Sequence, residues 1–98
     1  MEFKNKIVWI TGASSGIGES LAYAFAAKGA HLVLSARRET ELQRVAETCQ
    51  THGISVLVLP FDMVDLSSHG KQVEQVIQTF GRIDVLVLNA GVSQRSFV

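Results

Sequence analysis

This sequence contains a single cysteine and no excess of charge of either sign. Cys49 has no second thiol to pair with, which excludes an internal disulfide and is typical of a reducing compartment. The 9 Lys and Arg residues are matched by 9 Asp and Glu residues, and they form no basic block. The sequence therefore lacks the electrostatic signature of a protein that binds nucleic acid or an acidic membrane, and we expect neither as a partner.

Long apolar runs are missing too. The longest ones are interrupted by Lys28, Pro60 and Asp62, well short of the roughly 18 residues that would suggest a membrane span. No charged and then apolar signal segment precedes the first apolar run, so we expect a soluble, cytoplasmic protein. The 98 residues leave no room for a second domain. No metal site is expected, because the spacing of metal ligands is absent from the three histidines, His31, His52 and His69.

Four short apolar runs alternate with three stretches of helical spacing. The runs cover residues 7–10, 31–35, 54–59 and 85–88. Runs without polar alternation, such as the first two, are typical of strands that helices cover on both faces. The intervening stretches repeat apolar residues at helical intervals, and they end at Gly29, Gly53 and Gly81. This strict alternation predicts an α/β fold with a parallel sheet and right-handed crossovers.

The same periodicity predicts which residues each helix buries. For the first helix we expect a buried stripe of Ile17, Leu21, Ala24 and Phe25. For the second helix we expect Leu42, Val45, Ala46 and Cys49. For the third helix, beginning near residue 67 or 68, we expect Val73, Val76, Ile77 and Phe80. Trp9 is expected in the core, as a residue of the first strand.

A glycine-rich turn joins the first run to the first helix, with the sequence Thr11-Gly12-Ala13-Ser14-Ser15-Gly16-Ile17-Gly18. A strand, a glycine turn and a helix are what a nucleotide site requires, because free N–H groups and the helix dipole can hold phosphate. Gly12 allows a tight turn with positive φ, Gly16 allows close approach of a pyrophosphate, and Gly18 lets the helix lie near the strands. The spacing fits neither G-x-G-x-x-G nor a Walker loop, which would need glycine, Lys and then Ser or Thr where Ile17, Gly18 and Glu19 stand. Taken alone, the cluster is also compatible with a merely flexible turn.

Four separated signatures resemble the short-chain dehydrogenase/reductase family over essentially the whole chain. They are the glycine turn at residues 11–18, Ser35-Ala36-Arg37-Arg38, Asp62 and Asn89-Ala90-Gly91, each placed after a predicted strand. The residues around positions 9–12 and 34–38 are most similar to the dehydrogenase/reductase member 7 group. The resemblance implies that residues 1–98 are the N-terminal portion of one Rossmann-like domain with strand order 3-2-1-4, helices on both faces, and an end after the fourth strand.

The resemblance also implies a set of cofactor contacts. The pyrophosphate would be held by Gly12, Gly16, Ile17 and Gly18, with Ser14 and Ser15 near the adenosine phosphates. The adenine would contact Asp62 and Met63, and the ribose would contact Asn89, Ala90 and Gly91. Each of these could singly be an ordinary turn residue, and together in this order they favour a nicotinamide cofactor.

The choice between NAD and NADP is expected just after the second strand. Members of the family that use NAD have an acidic residue there, and this sequence has Ala36, followed by Arg37 and Arg38. An arginine can form a charge-assisted fork with the 2′-phosphate, so NADP (NADPH) is favoured. Arg38 is equally compatible with a solvated helix start.

The catalytic serine, tyrosine and lysine of the family are absent from residues 1–98. Tyr23 is the only tyrosine, and Ala27 stands where the lysine would follow. We therefore assign no catalytic residue, and expect the chain alone not to reduce carbonyls. The resemblance implies a parent NADP-dependent oxidoreductase that interconverts a small carbonyl and a secondary alcohol. The alternatives are a stand-alone nucleotide-binding or redox-sensing module and a domain used only for association. We also expect a homo-oligomer, joined along the apolar fourth strand.

Overall fold

The computed structural model describes residues 2–14, 16–61 and 69–89 of the chain. Seven elements follow one another in the order β1 (Ile7–Thr11), α1 (Gly16–Ala27), β2 (His31–Ser35), α2 (Glu39–Gln50), β3 (Val56–Val58), α3 (His69–Phe80) and β4 (Val85–Val87). The alternation predicted from the sequence is therefore confirmed. The start expected for the third helix, near residue 67 or 68, lies outside the described residues.

The four strands form one parallel sheet in the order β3-β2-β1-β4. In register, Thr11 of β1 lies beside Ser35 of β2, and Ile10 lies beside Val87 of β4. The carboxyl ends of β1, β2 and β4 thus meet at one edge of the sheet. This order is the one that the resemblance to the family implied, and it places β1 in the interior of the sheet.

The two faces of the sheet carry separate cores. Val8 and Ile10 point toward the cluster that contains the buried residues of α1 and α2, whereas Ile7 and Trp9 belong to the cluster with Val76 of α3. Successive side chains of a strand point to opposite faces, so a strand covered on both sides must be apolar throughout. This explains why β1 shows an unbroken apolar run, all of it buried.

Helix α1 buries a different face from the one predicted. Its buried residues are Gly18, Ala22 and Ala26, spaced four apart, whereas the side chain of Ile17 is 72% exposed and Ala24 is exposed as well. Small residues in that row let the helix lie close to the sheet, and the larger Leu21 and Phe25 pack at its flanks, partly buried. The expected stripe was therefore right for Leu21 and Phe25 and wrong for Ile17 and Ala24.

The other two helices follow their periodicity to different extents. All four residues expected in α2 are buried, namely Leu42, Val45, Ala46 and Cys49. Of the four residues expected in α3, only Val76 is fully buried, and Phe80 packs against the second cluster. Val73 and Ile77 remain 42% and 43% exposed, so one side of α3 is apolar but uncovered by the described residues.

Both outer strands are shorter than the sequence predicted. Strand β3 ends at Val58, but its backbone pairing with β2 continues past Pro60, with Leu59 N donating to Leu34 O (2.9 Å) and Phe61 N to Ala36 O (3.0 Å). The missing N–H of Pro60 is tolerated because β3 is an edge strand. Trp9 lies in the core as expected, and its Nε1 donates to Ser35 Oγ at 2.9 Å. That bond satisfies the only polar atom of the Trp9 side chain.

Candidate functional site

The glycine turn and Asn89 meet at the carboxyl edge of the sheet. The Thr11 hydroxyl donates to Val87 O (3.1 Å) and accepts from Asn89 N (2.9 Å). The Asn89 side chain in turn donates through Nδ2 to Gly12 O (3.3 Å). Because ligands of open parallel sheets bind outside the carboxyl ends of the strands, this edge is the candidate site.

Gly12 and Gly18 are required by packing around Asn89. Gly12 has φ +66°, and a Cβ there would overlap the Asn89 carbonyl oxygen. A Cβ at Gly18 would overlap Gly12 O and come within 2.7 Å of Asn89 Nδ2. The two glycines and Asn89 therefore form one close-packed unit that brings the start of α1 against the ends of β1 and β4. The sequence predicted this role for Gly18, and the left-handed turn at Gly12.

Gly16 differs from the other two glycines because it faces open space. It has φ +60°, and a Cβ built there meets nothing within 4 Å. Gly16 and Ile17 are exposed at the first turn of α1, and Ser14 is half-buried beside them. An anion has room to approach here, where free N–H groups and the helix dipole favour negative charge. The residues present thus fit the diphosphate of a nicotinamide cofactor.

Two arginines follow the end of β2 at the same edge of the sheet. Ala36 is buried, and Arg37 and Arg38 are exposed. Neither guanidinium has a hydrogen-bond or ion-pair partner within residues 2–14, 16–61 and 69–89. Arg38 is the N-cap residue of α2, where its carbonyl accepts from Leu42 N (3.2 Å). The helix-start role considered for Arg38 is therefore present.

Charged residues beside the glycine turn were not singled out from the sequence. Glu19, in the first turn of α1, accepts hydrogen bonds from Tyr23 Oη (2.6 Å) and Arg44 Nη1 (3.0 Å). The bond from Arg44 holds the pKa of the Glu19 carboxyl below its usual value, and the bond to Glu19 raises the pKa of Tyr23. Arg44 also reaches the Ser14 carbonyl at 3.3 Å. Tyr23 is partly buried against the first core cluster, and its hydroxyl belongs to this group.

Several expected contacts cannot be placed in this geometry. Ser15, Asp62, Met63, Ala90 and Gly91 lie outside the described residues. Within the described ranges, no group of three His, Cys, Asp or Glu side chains could hold a metal ion. No helix in the same ranges is both long and apolar enough to cross a membrane.

Cys49 bears on the alternative of a redox-sensing module. Its side chain is fully buried in the first core cluster. Burial raises the pKa of the thiol to about 11, so it stays protonated near neutral pH. Since the thiolate is the reactive form, the arrangement is that of a core residue and disfavours redox sensing through this thiol.

Comparisons with known proteins agree with this geometry. A family model described as short chain dehydrogenase matches residues 6–98. Dehydrogenase/reductase SDR family member 7 of Homo sapiens is 52% identical in an alignment of 99 positions that covers 97% of this chain and 29% of that protein. An 11-beta-hydroxysteroid dehydrogenase A of Sesamum indicum is 51% identical over 94 residues, or 95% of this chain and 27% of that protein.

Among solved structures, L-sorbose reductase from Gluconobacter frateurii, complexed with NADPH and L-sorbose, aligns with a TM-score of 0.86 at 39% identity. The alignment covers 94% of this chain and 36% of that one. This chain therefore spans about a third of the length of the relatives it matches. The family match over residues 6–98, the sheet order and the glycine turn lead to one conclusion: the chain belongs to the short-chain dehydrogenase family.

Proposed function

We propose that this chain is the cofactor-binding part of an NADP-dependent oxidoreductase that interconverts a small carbonyl compound and a secondary alcohol. The observation that carries the choice of NADP is Arg37, which is exposed, has no partner among the described residues, and follows a buried alanine at the carboxyl edge of the sheet. The NADPH named in the related sorbose reductase structure supports the same choice.

Residues at the carboxyl edge of the sheet would bind each part of the cofactor. The free backbone N–H groups around Gly16 and the first turn of α1 would donate hydrogen bonds to the diphosphate, and Arg37 would pair with the 2′-phosphate. Asn89, held by Thr11 and Gly12, would stand beside the ribose. When bound, the nicotinamide supplies the hydride. The proton donor for the carbonyl is expected from residues outside this chain.

The test is a titration of the purified chain with NADPH and NADH. We expect tighter binding of NADPH, and Arg37→Ala should remove most of the difference, because one charged fork contributes about 1.5–3 kcal/mol, or roughly ten- to a hundredfold in affinity. Arg38→Ala, at the helix cap, serves as the matched control and should change the preference much less. Equal affinity of the unmutated chain for the two nucleotides would contradict the proposal.

We further propose that the chain self-associates along β4. This strand pairs with β1 on one side and with no other strand in the described part of the chain. Leu86 and Leu88 are 50% and 70% exposed, and an apolar strand edge is a template for pairing with another chain. The parent protein's substrate would be a small carbonyl or alcohol, and its place of action the cytoplasm.

A further inference from the structure

The carboxylate of Glu19 lies at the amino-terminal end of α1, where the cofactor diphosphate is expected. Glu19 lies three residues after Gly16, in the first turn of the helix. A negative charge in that turn interacts favourably with the helix dipole. It would also repel a diphosphate that approaches the same helix end. The site therefore needs something to offset this charge.

Arg44 of α2 supplies that offset across the gap between the two helices. Its Nη1 and Nη2 reach the two oxygens of the Glu19 carboxylate at 3.0 and 3.2 Å, which is a bidentate pairing. Its remaining contacts are Glu41, one helical turn back (2.9 Å), and the Ser14 carbonyl in the glycine turn (3.3 Å). One guanidinium thus joins α2, the first turn of α1 and the glycine turn.

We propose that Arg44 is a positioning residue for the cofactor diphosphate, which neutralises Glu19 and holds the Ser14 carbonyl. This inference rests on the proposed function. Tyr23 assists by donating its hydroxyl to Glu19 Oε2, the oxygen that also accepts from Arg44 Nη1. Because the charge of Glu19 is neutralised, the N–H groups of the glycine turn can bind an anion without repulsion from that carboxylate.

The position of Arg44 separates this role from simple stabilisation of the fold. Half of its side chain is exposed, and ion pairs at such exposure contribute little to folding. A change at Arg44 should therefore alter cofactor affinity while leaving the unfolding midpoint nearly unchanged. Arg82 serves as a control, because it too pairs with a carboxylate, that of Asp84, and with a backbone carbonyl, that of Asn5, but lies at the amino ends of the strands, far from the glycine turn.

The experiment measures NADPH affinity of the chain and of the variants R44Q, E19Q, E19Q/R44Q and R82Q. Titrations run at ionic strengths of about 0.01 M and about 1 M, where the Debye length falls from about 30 Å to about 3 Å. At low ionic strength R44Q should bind NADPH about tenfold more weakly, as expected for an unscreened charge near an anion. E19Q should bind more tightly than the unmutated chain, and the double variant should recover most of the loss. All differences should shrink at high ionic strength, and R82Q should match the unmutated chain.

The outcomes distinguish this inference from the proposed function. If the unmutated chain binds no NADPH, the proposed function fails and this inference fails with it. The unmutated chain could bind NADPH while R44Q and E19Q/R44Q bind it equally weakly, with the same loss at both ionic strengths. That result would refute the neutralising role of Arg44 and leave the cofactor site intact. If R44Q does not fold, E19Q alone decides, and affinity no higher than that of the unmutated chain at low ionic strength overturns the inference.

Discussion

Replacing Gly18 by alanine tests the packing that brings the glycine turn, α1 and Asn89 together. The added Cβ would overlap Gly12 O and crowd Asn89 Nδ2, and crowding of this kind costs about 1–3 kcal/mol. Loss of the Asn89 Nδ2 bond to Gly12 O adds about 1 kcal/mol, and the better helix propensity of alanine returns about 1 kcal/mol. The free energy of unfolding should therefore fall by about 1–3 kcal/mol.

Gly70→Ala provides the matched comparison. Gly70 is also in the first turn of its helix, is exposed, and has nothing within 4 Å of a built Cβ. Alanine there should raise the free energy of unfolding, by up to about 1 kcal/mol. Urea denaturation can be followed through the fluorescence of Trp9, the only tryptophan and a buried one. If Gly18→Ala is as stable as the unmutated chain, or shifts in the same direction as Gly70→Ala, the close contact between Gly18 and Asn89 is refuted.

Two other predictions follow from the ends of the strands. Asp84 accepts a hydrogen bond from Ile7 N at 2.8 Å, and this bond, together with Arg82, holds the pKa of the Asp84 carboxyl below its usual value. The resulting stabilisation is present above the unfolded pKa and should be lost as the pH falls below about 4. Asp84→Asn should therefore lose less free energy of unfolding on acidification than the unmutated chain. A pH profile for that variant identical to the unmutated chain would exclude Asp84 as a contributor. Leu86→Lys should weaken self-association measured by sedimentation. Val87 is unsuitable for this test, because it packs against the first core cluster and a charge there would damage the fold. An unmutated chain that is monomeric at tens of micromolar would refute association through β4.

The sequence predicted those parts of the fold that repeat a local pattern. Leu42, Val45, Ala46 and Cys49 are spaced as one helix face, and all four are buried. The glycine turn follows from a motif whose position relative to the first strand can be counted, whereas the strand order follows from the resemblance to the family. Helix α1 departs from its expected stripe because its contact with the sheet uses glycine and alanine, which a search for large apolar residues passes over.

The candidate site was predictable only where its residues belong to a recognisable motif. Gly12, Gly16 and Gly18 could be assigned distinct roles from their spacing, and the structure separates them as packed or open. The pairing of Glu19 with Arg44 joins residues 25 positions apart. Neither carries a motif, and an arginine on a helix face has many possible partners. The one signal available was an acidic residue in the first turn of a helix expected to bind an anion.

The hydroxyl of Thr11 has a consequence for the order in which the molecule assembles. It bonds to Val87 O and Asn89 N, which are 76 and 78 positions away in the chain. Contacts of such long sequence separation carry a large loop-closure cost and form late in folding. During synthesis, β1, α1 and β2 emerge first and can pair before β4 exists. The turn at Gly12 would then gain its final shape only when the fourth strand arrives, so that the nascent chain acquires its nucleotide-binding edge at the end of this segment's folding and not at its beginning.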